Sequence, residues 1–188
     1  EELLVKTDFN DVSNIAFLLE FLKENQGKDF LKVADQREMR PGTNARFENY
    51  CLELRDRIIR TPFKRKFLTG ATPYIGNQWM ILTREFCQFL CTNSEVDRFK
   101  KFYKHTFIAD ESFFQTVIMN TSYKPSIVND DMRAIDWVPD GNIKLRPRTF
   151  VTADAKYLLN SKQLFARKFD ETVDQEILNI LEAHLAKF

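Results

Sequence analysis

Apolar positions return along this chain with two different periods, so helices and strands are both expected. Leu3–Lys6 reads as a short strand. Val12, Ile15, Leu18, Leu19 and Leu22 then recur at helical spacing, and Gly27 supplies a stop. Phe30–Val33 reads as a strand. Asp35–Leu54 is polar and broken by Pro41-Gly42, which predicts a long loop with some helix near Phe47–Leu54. Gly70 to Gly76, with Pro73 between, is a turn region. The apolar run Gln78–Leu82 ends at Thr83, a good N-cap, with Glu85 in the first turn, so Arg84–Cys91 should be helical. Ser94 is placed to cap a helix over Glu95–His105, and Asp110 one that carries Phe113, Phe114, Val117 and Ile118. Tyr123–Asp140 reads as loop and short strand, with Ile135-Asp136-Trp137 extended. Thr152 caps a short helix through Leu159. Thr172 to Gln175 has the form of a capping box, and Ile177, Ile180, Leu181 and Leu185 give a strongly amphipathic last helix. The fold class is α/β, without internal repeats.

Composition narrows the class. The chain has 188 residues, enough for one domain with a real core or for most of a larger one. With 44% apolar residues and 18 Phe it is too hydrophobic to be disordered. It contains no apolar run of the roughly 18 residues that a membrane-crossing helix needs. Nothing resembles a signal peptide, and the opening Glu1-Glu2-Leu3-Leu4-Val5 reads like the middle of a domain. The expectation is a chain that starts partway through a larger fold. A net charge of +1 gives no global field to recruit nucleic acid or anionic lipid. Cys51, Cys87 and Cys91 lack the spacing of a zinc site or a disulfide framework. Cys87 and Cys91 are one helical turn apart and are expected to be buried together as small hydrophobes, in a reducing compartment.

Three constellations can carry chemistry. Asp110-Glu111 opens a predicted helix, where a carboxylate meets unpaired N–H groups. Periodicity alone favours a cap with a dipole-compensating Glu; the sharper reading is a base beside Phe113-Phe114, whose apolar rings would raise its pKa while the dipole lowers it. In Leu164–Asp170, Arg167 and Lys168 sit between aromatics just before a capped helix. That segment is either a surface turn anchored by its Phe residues or a cationic clamp for a phosphate leaving group, to which Arg146 and Arg148 would add. Trp79 with Gln78, and separately Trp137, are core aromatics or sugar-stacking faces with an amide for hydroxyls. Arg98–Lys104 interleaves bases and aromatics as nucleic-acid binders do, but its spacing fits an amphipathic helix and the near-zero net charge favours that reading. No P-loop, dinucleotide fingerprint, HExxH or zinc spacing is present. His105 and His184 are far apart in sequence, and His184 falls on the last helix as a solvated or half-buried face residue. The sequon Asn120-Thr121-Ser122 reads as chance.

Five of these segments, in order, resemble one family. Val5-Lys6-Thr7 is similar to the end of its PIKT segment, with Leu4 in place of the proline. Gly76-Asn77-Gln78-Trp79 with Leu82-Thr83-Arg84-Glu85 resembles its GSQW and LTRE stretch. Ala109–Thr116 resembles its PDE motif with the aromatic pair, Ile135-Asp136-Trp137 its strand ending in Trp, and Leu164–Asp170 its LFARKFD segment before the terminal helix. The family is that of the branching glycosyltransferases, which includes core-2 and I-branching β-1,6-N-acetylglucosaminyltransferases, protein O-xylosyltransferases and plant glucuronosyltransferases. Its compact bacterial members look most similar.

The resemblance implies a GT-A-type, Rossmann-like fold, with residues 1–188 as the catalytic and acceptor-side part of a single domain whose N-terminal nucleotide-binding portion is missing from this chain. It implies inverting, metal-independent transfer of a GlcNAc or xylose-like sugar from a UDP-sugar to a glycan hydroxyl, with a β-1,6-N-acetylglucosaminyltransferase-like activity favoured. Glu111 would be the base. Lys168, with Arg167 and with Arg146 or Arg148, would meet the departing diphosphate, and Trp137, with Trp79 and Gln78, the acceptor. No metal and no cofactor are expected, and no nucleic-acid partner. Membrane contact is expected to be encoded outside this segment. The implied location is the bacterial cytoplasm, at most peripheral to a membrane, or the Golgi lumen in a eukaryote. The alternative is a non-catalytic carbohydrate-binding or interaction module of the same fold.

Overall fold

The structure is a computed structural model that describes residues 3–5, 12–13, 15–55, 57–141 and 144–186. It is a mixed α/β chain that divides into two compact units. The first comprises residues 1–5 and 27–131, the second residues 6–26 and 132–188. Among the described residues no helix is long and apolar enough to cross a membrane. Lys6 and Thr7 of the PIKT-like segment lie outside the described residues.

The first unit is built on a four-stranded sheet, ordered Leu3–Val5, Met80–Thr83, Asp29–Leu31, Ile127–Val128. Met80–Thr83 is buried at every position, so it carries an unbroken apolar run instead of alternation. It pairs antiparallel with both neighbours, and Asp29–Leu31 pairs parallel with Ile127–Val128. Asp29, the first residue of its strand, is fully buried, and its carboxylate accepts the Thr83 N–H and the Ser126 hydroxyl. Thr83 does cap the next helix, Arg84–Thr92, by accepting from Phe86 N–H. That helix packs Phe86 and Leu90 against Phe99 and Phe102 of helix Asp97–Tyr103 and against Val117 and Ile118 of helix Phe113–Met119. Full burial of rings such as Phe86 and Phe99 is worth about 1.5–3 kcal/mol each.

Several local expectations shift. The Asp97–Tyr103 helix is preceded by a 3-10 turn, Ser94–Val96, capped by the Asn93 side chain and not by Ser94. It is the amphipathic helix that Arg98–Lys104 suggested, with Phe99, Phe102 and Tyr103 buried. Cys87 is half-buried but Cys91 is exposed, because four helical residues turn slightly more than a full circle and carry Cys91 off the Phe86–Leu90 stripe. Asn49–Leu54 is a strand, not a helix, and pairs with Arg57–Lys64 in a long hairpin. Gln36–Met39, Pro41–Thr43 and Ala45–Glu48 supply short helical turns within the expected loop.

The feature that shapes this unit is a seam between helix Phe113–Met119 and the extended segment Thr72–Asn77. Asn120, just past the helix, accepts Thr72 N–H at 2.9 Å and donates to Thr72 C=O at 2.8 Å. One turn earlier, Thr116 Oγ1 accepts Tyr74 N–H at 2.9 Å and donates to Tyr74 C=O at 3.1 Å. Gln115 donates to Asn77 C=O, and Gly76 N–H donates to Glu111 C=O, both at 2.8 Å. Alternate residues of the strand thus meet successive turns of the helix. Tyr103 closes the seam with a hydroxyl contact to Thr116, and its burial pushes its pKa up to about 12, so it stays a neutral hydrogen-bonding group.

The second unit holds a three-stranded sheet, ordered Arg133–Ile135, Phe165–Arg167, Val12–Ser13. Val12 is therefore a strand residue opposite Ala166, and the first long helix begins later, at Ile15–Glu24, because pairing to Phe165–Arg167 outweighs the helical spacing. A hairpin joins Trp137–Asp140 to Lys144–Pro147. Phe150, Phe169, Ile177 and Leu181 form the core beneath helices Ala155–Leu159 and Gln175–Leu185. The last helix is capped by Asp174, which accepts Ile177 N–H, so the Thr172–Gln175 box is not formed and Thr172 instead bonds Asp170. Asp174 also accepts Thr152 N–H and its hydroxyl, tying the 3-10 turn Thr152–Asp154 to the helix start.

Replacing Asn120 by Ala leaves Thr72 N–H and C=O without the partners they have in the seam. The expected loss is about 2 kcal/mol of stability, read as a lower urea midpoint with an unchanged slope.

Candidate functional site

Glu111 ends a 3-10 turn, Ala109–Glu111, whose leading residue Ile108 is left-handed at φ 53°. The α-helix starts only at Phe113, behind Ser112, so Asp110 does not cap it. The turn's fixed points are backbone bonds: Ser112 N–H reaches Ala109 C=O at 3.1 Å, and Glu111 C=O is held by Gly76 N–H. The Glu111 carboxylate is 30% exposed and meets Arg46, Nη1 to Oε2, at 2.6 Å. Arg46 lies on the short helix Ala45–Glu48, whose position is set by Phe107 N–H bonding Arg46 C=O. The Phe113 ring lies edge-on to Phe114 and to Tyr103, with centroids 5.2 and 5.7 Å away.

The glycine of the GNQW stretch is there for space. A Cβ on Gly76 would sit 1.8 Å from the Lys32 carbonyl oxygen, so only Gly lets this backbone pass between Lys32 and the seam. The chain then presents Asn77, whose amide donates to Asp131 at 2.6 Å, followed by half-buried Gln78 and by Trp79, which is only 6% exposed. Glu111, Gln78 and Trp79 thus belong to the first unit, with the Glu111 turn bonded to Gly76 just before Gln78 and Trp79.

Trp137, Arg146, Arg148, Arg167 and Lys168 belong to the second unit. Trp137 starts the hairpin opposite Pro147 and is 43% exposed. Arg146, on the facing strand, is exposed and lies 3.9 Å from the exposed carboxylate of Asp140. Arg148 is held quite differently. Its Nε bonds Asp136 at 2.7 Å, and Nη1 and Nη2 form a fork on Asp154 at 2.7 and 3.0 Å. These two carboxylates raise the pKa of the guanidinium further above its ordinary value. Lys168 is half-buried; its C=O accepts Phe150 N–H at 2.8 Å, which moors the Arg167–Lys168 strand end to the Arg148 segment. Among the described residues no three or more His, Cys, Asp or Glu side chains gather as a cation site.

Sequence reasoning missed two arginines. Arg46 is 65 positions before Glu111, and nothing local ties the two together. Arg65 bonds Phe47 C=O, Phe102 C=O and the Thr106 hydroxyl and stacks on Tyr50 and Phe102, and desolvation lowers its pKa. The Asp136–Arg148–Asp154 set was within reach of the sequence, since all three fall within a short turn-rich stretch.

Two outcomes test this geometry. Gly76→Ala should cost about 3 kcal/mol or more through overpacking against Lys32, seen as loss of soluble folded protein or a large drop in thermal midpoint. The Arg148 fork holds the Asp154 carboxyl below its ordinary value of 3.8. That contribution to stability is complete above about 3.8 and is lost as pH falls through the lower folded value. Arg148→Ala should therefore flatten the acid limb of stability and cost about 1 kcal/mol near neutral pH, the site being partly exposed. Arg146→Ala should change neither. Urea midpoints measured near neutral pH and below the Asp154 range distinguish them.

Most of this chain is similar to known proteins. The chain is 29% identical to xylosyltransferase 2 of Rattus norvegicus over 183 residues, which cover 89% of this chain and 21% of that protein. It is 25% identical to a xylosyltransferase of Ciona intestinalis over 182 residues, 89% of this chain and 21% of the other. It is 26% identical to xylosyltransferase 1 of Mus musculus over 184 residues, 90% of this chain and 19% of the other. The chain spans about a fifth of the length of the curated relatives it matches. The sequence model of the Core-2/I-Branching enzyme family matches residues 14–159, a stretch that holds the Gly76 passage, the Glu111 turn, Trp137 and the Arg148 fork. By that match over most of its length, this chain belongs to the Core-2/I-Branching enzyme family.

Proposed function

We propose that residues 1–188 are the catalytic and acceptor-side part of a single GT-A-type glycosyltransferase domain that moves a sugar from a UDP-sugar to a glycan hydroxyl with inversion. The observation that carries this is the Glu111 carboxylate: part-exposed, held by Arg46 through one oxygen, and fixed in place by a backbone bond from Gly76. Inversion is a single in-line displacement. The acceptor oxygen attacks the anomeric carbon, its proton passes to Glu111, and the bond to the diphosphate breaks on the opposite face. A positioned base of this kind contributes about 10²- to 10⁴-fold. With Oε2 engaged by Arg46, Oε1 takes the proton.

The leaving diphosphate gathers negative charge that fixed cations must meet. Lys168 and Arg167 supply it, joined by Arg146 in preference to Arg148. Arg148 already shares its guanidinium between Asp136 and Asp154, whereas Arg146 meets Asp140 only at 3.9 Å and is exposed. The transfer then needs neither metal nor cofactor. Trp137, with its ring part-exposed, is the second unit's candidate for stacking on an acceptor sugar, and Gln78 the first unit's candidate for bonding sugar hydroxyls; Trp79 supports the Gln78 stretch from the interior. The likeness to xylosyltransferases favours a xylose-like donor, and a β-1,6-N-acetylglucosaminyl transfer is the other donor reading within the family.

Glu111→Gln should lower kcat for sugar transfer by at least about a hundredfold while donor affinity, measured by calorimetry with UDP-sugars, is retained. Undiminished turnover would overturn the assignment, and glycan binding without turnover in the unmutated protein would make the chain a carbohydrate-binding module of the same fold. Chelation should leave activity unchanged; a strict requirement for Mn²⁺ would contradict the cationic clamp.

A further inference from the structure

A two-stranded hairpin is marginal in water unless one face is covered. The hairpin Asn49–Leu54/Arg57–Lys64 covers little of itself. Its register sets Leu52 opposite Ile59 and Leu54 opposite Arg57 on one face, and Cys51 opposite Arg60 on the other. The second face leans on the unit: Cys51 is buried, its N–H bonds His105 C=O at 2.9 Å, and Arg60 lies over the Phe107 ring. The first face is open, with Leu52 48% and Leu54 65% exposed and Ile59 46% exposed. Phe63, further along the strand, is 72% exposed, and Ile58 is 60% exposed. An apolar group of this size on one protruding element marks a contact surface.

The charges around it say what the surface meets. Leu52–Lys66 carries six Lys and Arg against two acidic residues, in a chain whose net charge is only +1. Arg55, Arg57, Arg60, Lys64 and Lys66 are all exposed. On the edge strand Arg57–Lys64, Pro62 has no N–H to give, and a two-fold antiparallel pairing about the middle of the strand would set Arg57 against Lys64 of the second copy. A second copy of this chain is therefore a poor cover. An anionic bilayer satisfies both features together: aliphatic and aromatic side chains enter the headgroup boundary while long cations lie over it and meet lipid phosphates.

We propose that the Asn49–Lys64 hairpin is a membrane-interface anchor for anionic lipid, with Leu52, Leu54, Ile59 and Phe63 as its inserting side chains. Membrane contact is then encoded within this segment, contrary to the expectation from sequence. It does not depend on Glu111 or on sugar transfer.

The test is sedimentation of the full chain with phosphatidylcholine vesicles and with vesicles that mix phosphatidylcholine and phosphatidylglycerol. Binding is expected only to the mixed vesicles and should fall with salt. Arg57→Gln with Lys64→Gln should weaken it by roughly 25-fold, about five-fold per cation. Leu54→Ser with Phe63→Ser should abolish it while leaving the thermal midpoint unchanged, since both side chains are exposed. Equal capture by neutral vesicles, or none by anionic ones, overturns the proposal. So does a dimer, detected by light scattering, that the Leu54→Ser/Phe63→Ser variant disperses.

Discussion

A backbone segment that leaves its sheet and passes through the interior must still satisfy its N–H and C=O groups. Thr72–Asn77 does so on one side by pairing Tyr74–Ile75 with Ala34–Asp35, and on the other on the side chains of one helix and its C-cap. Asn120 and Thr116 each present both a donor and an acceptor, so each takes the place of a neighbouring strand for one residue of the segment. Such bonds are short in reach and strict in direction, so they set the helix's height and rotation against Thr72–Asn77 more closely than apolar packing does. Two consequences follow at one end of the seam. The Glu111 turn is pinned through its carbonyl to Gly76, and the Gly76 backbone is squeezed against Lys32 where no larger residue fits. The carboxylate thus inherits its position from hydrogen bonds made by residues with no chemical role of their own.

The second unit orders its charges in a comparable way. Arg148 joins Asp136 to Asp154, and Asp174 joins the Thr152 turn to the last helix. These contacts are internal to the unit and commit the Arg148 guanidinium to two carboxylates. Arg146, at the hairpin and near Asp140, and Lys168, at a strand end, stand on elements that those contacts help to hold.

The elements that were legible in the sequence are those specified locally. Thr83 caps its helix, and the Ile177–Leu181 stripe is buried, as spacing alone required. The Phe99 to Tyr103 face is buried for the same reason. What was not legible depends on distant pairing. Val12 has helical spacing with Ile15 yet joins a strand 154 positions away, at Ala166. The Arg57–Lys64 strand alternates poorly because neither of its faces is fully covered, so periodicity carried little signal. Ile108 adopts a left-handed backbone that no residue preference announces, and with it the Asp110 cap is lost. Of the candidate site, the Arg46–Glu111 pair needed coordinates, because 65 positions separate the two.

The amide of Asn120 has a bearing on the sequon it begins. Both of its hydrogens are committed, one to Thr72 C=O at 2.8 Å and one to Thr116 C=O at 2.7 Å. N-glycosylation would consume one of them and set a sugar into the joint between helix and strand. In the folded unit the nitrogen offers no hydrogen to a modifying enzyme, so a glycan there requires the joint to be open. Occupancy of this sequon would thus report on the order of events in biosynthesis: a chain modified at Asn120 is one that had not yet closed around Thr72.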